Sequence, residues 1–314
     1  MKRTARFGIC ALLLGVFASQ PGWAQTGPLK VVATFSILAD LVSNVGGDKI
    51  VVTTLVGPDA DTHTYQPTPA DARAVAEAKL LVTNGLGLEG WLDRLKGAAN
   101  SRAAIVVASS GIKPLTMEEE EDDKAAASGQ AKPGKPRRIS DPHAWQSLAN
   151  GQIYVANIIK GLVAADPPNA DFYRQSGAAY AAQLAALDGK VKDMLASVPK
   201  AKRRVITTHD AFQYYGRAYD IAFIAPLGIS TDNEPSAGDV AKLERQIKRE
   251  KIKALFLENV TNGRLIEQIA RDTGAVVGPS LFSDALSKPD EPASSYIKMF
   301  EHNTATLRDG MMKN

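Results

Sequence analysis

The chain has 314 residues, 45% of them hydrophobic, with 37 Lys and Arg against 34 Asp and Glu. Such a chain can bury a full core and is long enough for two domains, while its formal charge of +3 points to neither nucleic acid nor a membrane surface as partner. Its single cysteine, Cys10, excludes a disulfide framework and a thiolate metal site.

Residues 1–24 are expected to be a signal peptide. Lys2, Arg3 and Arg6 precede an apolar run from Ile9 to Ala18, and Gly22-Trp23-Ala24 offers a small-x-small cleavage site, so cleavage is expected after Ala24 with delivery to the periplasm. The apolar run is too short to span a bilayer. Cys10 sits inside it and not after a Leu-x-Gly/Ala motif, so no lipid anchor is expected. Without the three leader cations the 37 basic residues become 34, matching the 34 acidic ones.

From Leu29 the chain alternates strand and helix. Leu29–Phe35 is a β-branched strand, Ser36–Val45 a helix closed by Gly46-Gly47, and Ile50–Val56 a second strand leading into the loop Gly57–His63. A helix (69–78), a strand (80–83), a helix (88–98) and a strand (104–107) follow, which predicts right-handed βαβ units and a parallel sheet. The stretch 117–138 holds Glu118–Asp123 and then small residues, Gly, Pro and Lys. It is expected to be a mobile loop, either a solvated surface segment or a low-affinity collector of cations.

After Asp141-Pro-His-Ala-Trp145 a helix runs from Ser147 to Ala165. The next stretch is the longest periodic run of the chain: Phe172, Tyr180, Leu184, Leu187, Val191, Met194, Leu195 and Val198 fall on one helical face. Asp166-Pro167 is the expected N-cap and Pro199 the stop. About 30 residues at ~1.5 Å rise make a rod of about 45 Å, though Gly177 and Gly189 each weaken it by roughly 1 kcal/mol and two helices broken near Gly189 are the alternative. The second half repeats the rhythm, with strands at 204–207, 221–224, 254–257 and 275–277 and helices at 211–218, 237–250, 263–273 and 294–309. The expected layout is two α/β lobes, each with a parallel sheet flanked by helices: an N-terminal metal-binding lobe (25–165), a connecting helix (166–198) and a C-terminal metal-binding lobe (199–314).

Three of the four histidines, His63, His143 and His209, follow strands or sit in loops, and Asp284 follows the last strand by a short loop. Ligands of open α/β sheets gather at such carboxyl ends. The four residues stand 80, 66 and 75 positions apart, however, so spacing alone favours reading each His, taken singly, as an ordinary polar or core residue. His302 looks like that ordinary case, in the last helix beside Glu301 and Asn303 with no partner in view.

Val31–Ile37, Val56–His63 with Tyr65 and Pro67, Asn84–Trp91, Asp141–Trp145, Thr208–Phe212, Glu234–Ser236 and Leu281–Asp284 together resemble the zinc/manganese (cluster A-I) substrate-binding proteins of ABC transporters, in the right order over almost the whole mature chain. The resemblance implies two α/β lobes joined by one rigid helix, and it places His63, His143, His209 and Asp284 at the four metal-ligand positions. It implies a periplasmic receptor whose partner is an ABC permease; a monomer is expected, a periplasmic metallochaperone is a candidate further partner, and neither nucleic acid nor membrane insertion is expected. Two departures stand out. Thr62 takes the place of the more frequent proline before the first ligand, and an acidic loop replaces a long His-rich one.

Three imidazoles and one carboxylate suit Zn²⁺, whereas Mn²⁺ prefers more oxygen, and manganese-binding relatives tend to carry a carboxylate where His209 stands. Zn²⁺ is therefore the expected cargo and Mn²⁺ the alternative. Asp61, Asp141, Asp210 and Glu258 are the candidates to orient the imidazoles. Affinity should fall below about pH 6, near the reference value of imidazole. A zinc hydrolase using the three histidines with Asp284 as base is the alternative from another class, but four protein ligands leave no position for water, and no His-Glu-x-x-His or Gly-x-Ser-x-Gly run occurs. No enzymatic activity is expected.

Overall fold

Five of the first strand's seven residues are apolar, and the fold shows why: a parallel strand covered by helices on both faces has no polar side to present. In the computed structural model, which describes residues 27–119, 137–231 and 235–314, β1 (Leu29–Phe35) buries every residue except Lys30. Parallel neighbours β2 (Ile50–Val56), β3 (Leu80–Thr83) and β4 (Ala104–Val107) complete a sheet of order β2-β1-β3-β4. Its helices are α1 (Ser36–Gly46), α2 (Pro69–Glu77), α3 (Leu92–Ala99) and α4 (Leu148–Ala165). The α3 helix starts four residues later than periodicity predicts, because the left-handed residues Gly85, Leu86 and Gly87 turn the preceding segment.

The expected mobile loop is corrected at its two ends. β5 (Thr116–Glu119) pairs antiparallel with β6 (Arg137–Ser140), and Arg138 Nη2 donates to Thr116 Oγ1 at 3.0 Å. Residues 120–136, with most of the acidic run, lie outside the described residues, as do the leader with Cys10 and Glu234.

The long run is a single helix, α5 (Ala170–Ala196), of about 40 Å at ~1.5 Å per residue. Neither glycine breaks it. Gly177 is required by packing, since a Cβ there would stand 2.4 Å from Ile159 Cδ1 of α4. Asp166 is not its N-cap: a 3-10 turn, Pro167–Asn169, intervenes, and the Asp166 carboxylate accepts instead from Asn169 Nδ2 and the Tyr173 hydroxyl at 2.7 and 2.6 Å. Tyr173 accordingly turns inward and Phe172 stays half-buried.

The second sheet, β7 (Arg204–Ile206), β8 (Ala222–Ile224), β9 (Ala254–Leu255) and β10 (Val276–Val277), has the order β10-β9-β7-β8, again parallel. Its strands are shorter than expected because the chain peels away beyond Leu255, where Glu258 bridges to Leu281. Helices α6 (Gln213–Tyr219), α7 (Ala237–Glu250), α8 (Arg264–Thr273) and α9 (Tyr296–Met311) pack around it. Ser236 caps α7 by accepting from Asp239 N. The protein thus has two lobes, each with a parallel sheet flanked by helices, joined by one long helix. Its main core is continuous through α5 and α9 from one lobe to the other, while α7, α8 and one face of the second sheet enclose a smaller separate cluster. Among the described residues no helix is long and apolar enough to cross a membrane.

Candidate metal centre

The carboxyl ends of both sheets converge, as expected where strand order reverses in open sheets. His63 ends the loop after β2, His209 follows β7 by two residues, Asp284 follows β10, and His143 comes between β6 and α4. The sequence separates these residues by dozens of positions, yet their ligating atoms all lie within 4.8 Å of one another. His143, His209 and Asp284 are fully buried, and the His63 side chain keeps 6% exposure.

His63 Nε2 stands 3.2 Å from His143 Nε2 and 3.2 Å from Asp284 Oδ2. His209 Nε2 is 3.2 Å from Asp284 Oδ2, and His143 Nε2 is 3.6 Å from Asp284 Oδ1. A tetrahedral ion held at about 2.0–2.2 Å sets its ligand atoms roughly 3.3–3.6 Å apart, and these spacings approach that pattern. Both Asp284 oxygens and His209 Nε2 are buried without a hydrogen-bond partner. Buried polar atoms are normally satisfied; here three nitrogens and one carboxylate turn toward one point, a set able to serve a single cation once its protons are displaced.

Carboxylates behind two of the rings fix their orientation. Asp141 Oδ1 lies 2.7 Å from His143 Nδ1 and also accepts the His143 backbone N–H at 2.9 Å. Glu258 Oε2 lies 2.6 Å from His209 Nδ1 while its Oε1 accepts the backbone N–H groups of Thr208 and His209. Asp61 acts differently, taking the backbone N–H of His63 at 2.8 Å. Asp210 binds Gln213 and touches no imidazole. Burial alone would lower the pKa of His143, but the charge of Asp284 and the bond to Asp141 outweigh it and hold it at about 9. Burial likewise opposes protonation of His209, and Glu258 and Asp284 raise its pKa well above the usual imidazole value. Burial would raise Asp284, but His143 and His209 hold it well below the carboxylate range. Protons and a metal ion would compete for the same nitrogens.

All four residues singled out in the sequence come together. The supports around them were less visible. Trp145 Nε1 and Gln146 Nε2 both donate to Ser283 O, at 2.9 and 2.7 Å, joining the segment after His143 to the residue before Asp284. The buried Glu89 carboxylate accepts from Thr34, Asn84 N and Gly85 N, and Asn84 Nδ2 donates to Pro142 O beside His143 at 2.9 Å. The Asn84–Trp91 motif was the signal for this network. Trp91 Nε1 donates to Thr62 O at 2.9 Å, so the threonine in the usual proline position does not leave that loop unheld. His302, which the sequence left without a partner, binds Ser280 O through Nε2 at 2.9 Å and packs on Phe282.

A family model described as zinc-uptake complex component A, periplasmic, matches residues 31–310. The metal ABC transporter substrate-binding lipoprotein FimA of Streptococcus parasanguinis is 33% identical over 309 residues, covering 96% of each chain. The manganese ABC transporter substrate-binding lipoprotein PsaA of Streptococcus pneumoniae is 32% identical over 312 residues, again covering 96% of each. Among solved structures, the periplasmic zinc-binding protein TroA from Treponema pallidum matches with a TM-score of 0.79 at 29% identity, over 91% of this chain and 99% of that one.

Proposed function

The chain belongs to the family of the periplasmic zinc-uptake component A, metal-binding substrate-binding proteins of ABC transporters rather than enzymes, and from that premise we propose that it captures Zn²⁺ between its lobes and passes it to an ABC permease for import. His63, His143, His209 and Asp284 are the proposed ligands, contributed by an N-terminal lobe (25–165) and a C-terminal lobe (199–314) on either side of the connecting segment 166–198. The leader is proposed to be cleaved after Ala24 to release the receptor into the periplasm, where it acts as a monomer; a metallochaperone is a further proposed partner. The observation that carries this reading is the convergence of three Nε2 atoms and one buried carboxylate at spacings near those of a tetrahedral ion.

Three nitrogens and one carboxylate favour zinc, since Mn²⁺ sits lowest in the affinity order and prefers oxygen. Manganese has one observation of its own: both Asp284 oxygens face the imidazoles, and a carboxylate engaging through both adds an oxygen ligand. Competitive titration of the purified protein with Zn²⁺ and Mn²⁺ side by side tests the choice. One tightly held Zn²⁺ per chain supports the reading, preference for Mn²⁺ replaces the cargo, and binding of neither removes the receptor function.

A further inference from the structure

The four proposed ligands are not held alike. His143, His209 and Asp284 are wholly buried and braced within the main core. Ser283 O takes the two donors from Trp145 and Gln146, and the Tyr214 hydroxyl donates to Asp141 O at 3.0 Å, which binds the segment after β7 to the His143 loop. His63 alone among the ligands has an exposed edge, lining a cavity of about 470 Å³ with Leu86, Arg138, Pro142 and Ile229.

The segment leading to His63 reaches across the cleft. Asp59 N donates to Leu286 O at 3.0 Å, and Asp59 Oδ1 accepts from Asn259 Nδ2 at 2.9 Å. Asp61 Oδ2 accepts from the Thr231 hydroxyl at 2.6 Å, while its Oδ1 holds the His63 backbone N–H. Asp59 has φ +55°, a left-handed conformation that a non-glycine residue keeps only when its surroundings enforce it. Here those surroundings lie on the opposite lobe. Thr231 and Asn259 are borne by loops next to α7 and α8, beside the smaller apolar cluster and not within the main core. Both bonds are only part-buried, so water can replace them more readily than the buried Trp91 bond to Thr62.

We propose that Thr231 and Asn259 form a latch across the cleft on the Asp59–His63 segment and set the rate at which bound metal leaves, as positioning residues acting through His63. The inference rests on the receptor reading above. Breaking both side-chain bonds leaves the segment only its backbone bond to Leu286 O across the cleft and frees it to carry His63 away; Asn259 Nδ2 also donates to Ala285 O at 3.3 Å beside Asp284, so Thr231→Val is the variant that leaves His143, His209 and Asp284 untouched. The metal then loses one of four protein ligands, and the vacated position faces the cavity over His63. A docking partner that displaces either loop would release metal without separating the two sheets.

The test measures dissociation of Zn²⁺, and separately of Mn²⁺, into excess EDTA by stopped flow for wild type, Thr231→Val, Asn259→Asp and the double variant. Each single change should accelerate release by about tenfold and the pair by roughly a hundredfold, as expected for hydrogen bonds to carboxylates. The association rate should stay at the wild-type value, and Thr231→Ser, which keeps the hydroxyl, should restore the wild-type release rate. Release within twofold of wild type in the double variant overturns the latch, as does a Thr231→Ser variant that releases metal as fast as Thr231→Val. A wild-type chain that binds neither ion overturns the receptor reading and the latch together; a chain that binds metal with unmoved release rates overturns the latch alone.

Discussion

The two lobes reach the same centre by different means. The main sheet of the N-terminal lobe has two strands of seven residues and two of four, whereas that of the C-terminal lobe makes do with strands of two or three. By sheet length the second lobe is the weaker scaffold. Yet it supplies His209 and Asp284, both fully buried, with Glu258 against the ring of one, while the longer-stranded lobe supplies the only ligand with an exposed edge. Among the described residues no carboxylate backs the second nitrogen of His63; Asp61 holds its backbone instead. Ligand placement is thus set by buried hydrogen bonds beyond the strand ends, and the sheets only deliver the chain to the right region.

The sharpest way to break the comparison is Asp284→Ala. Removing one partner from a buried charged cluster typically costs about 3–5 kcal/mol, so metal affinity should fall by roughly two to three orders of magnitude in a competitive titration with a chelating indicator. An unchanged affinity would place the metal elsewhere. Glu258→Gln comes next: it keeps the shape and the acceptor for Thr208 N and His209 N but removes the charge beside Nδ1. Affinity should drop by about 10–100-fold, the usual effect of losing such an outer partner.

A pH series separates the metal-free state from the loaded one. His143 is raised to about 9 from a reference of 6.5, so its contribution to the stability of the metal-free fold is complete below about pH 6.5 and is lost as pH rises through about 9. Asp284 is shifted the other way; its contribution is present above about pH 4 and disappears only on strong acidification. Metal must displace the protons held by His143 and His209. Calorimetry should therefore find the metal-free protein losing stability between pH 6.5 and 9 while zinc affinity rises over the same interval. Parallel trends would contradict the carboxylate-held imidazolium.

The smallest expected effect probes the satellite cluster. Ser236→Ala removes the cap of α7 and should cost about 1 kcal/mol in denaturant unfolding while leaving metal affinity intact, because α7 carries no ligand.

Much of this was legible in advance because it follows from periodicity. The strands 29–35, 50–56, 80–83 and 104–107 have the expected bounds, since each is an apolar run ended by a turn. The ligand set became legible only through several motifs taken together, because no local spacing marks residues that meet through the fold. Other features lack a local signature altogether. The pairing of β5 with β6 joins a charged segment to a distant one. The capture of Asp166 by Tyr173 depends on a turn that periodicity does not register, and the bonds from Thr231 and Asn259 to the first lobe connect residues 170 and 200 positions from their partners.

From His63 to Asp284 the proposed ligands span 221 positions, and Asp284 is held in place by a helix that ends three residues before the C-terminus: Asn303 of α9 both donates to Phe282 O and accepts from Phe282 N. The proposed centre is therefore a property of the assembled fold and of no local segment: a short fragment excised around any one of the four residues would not carry it.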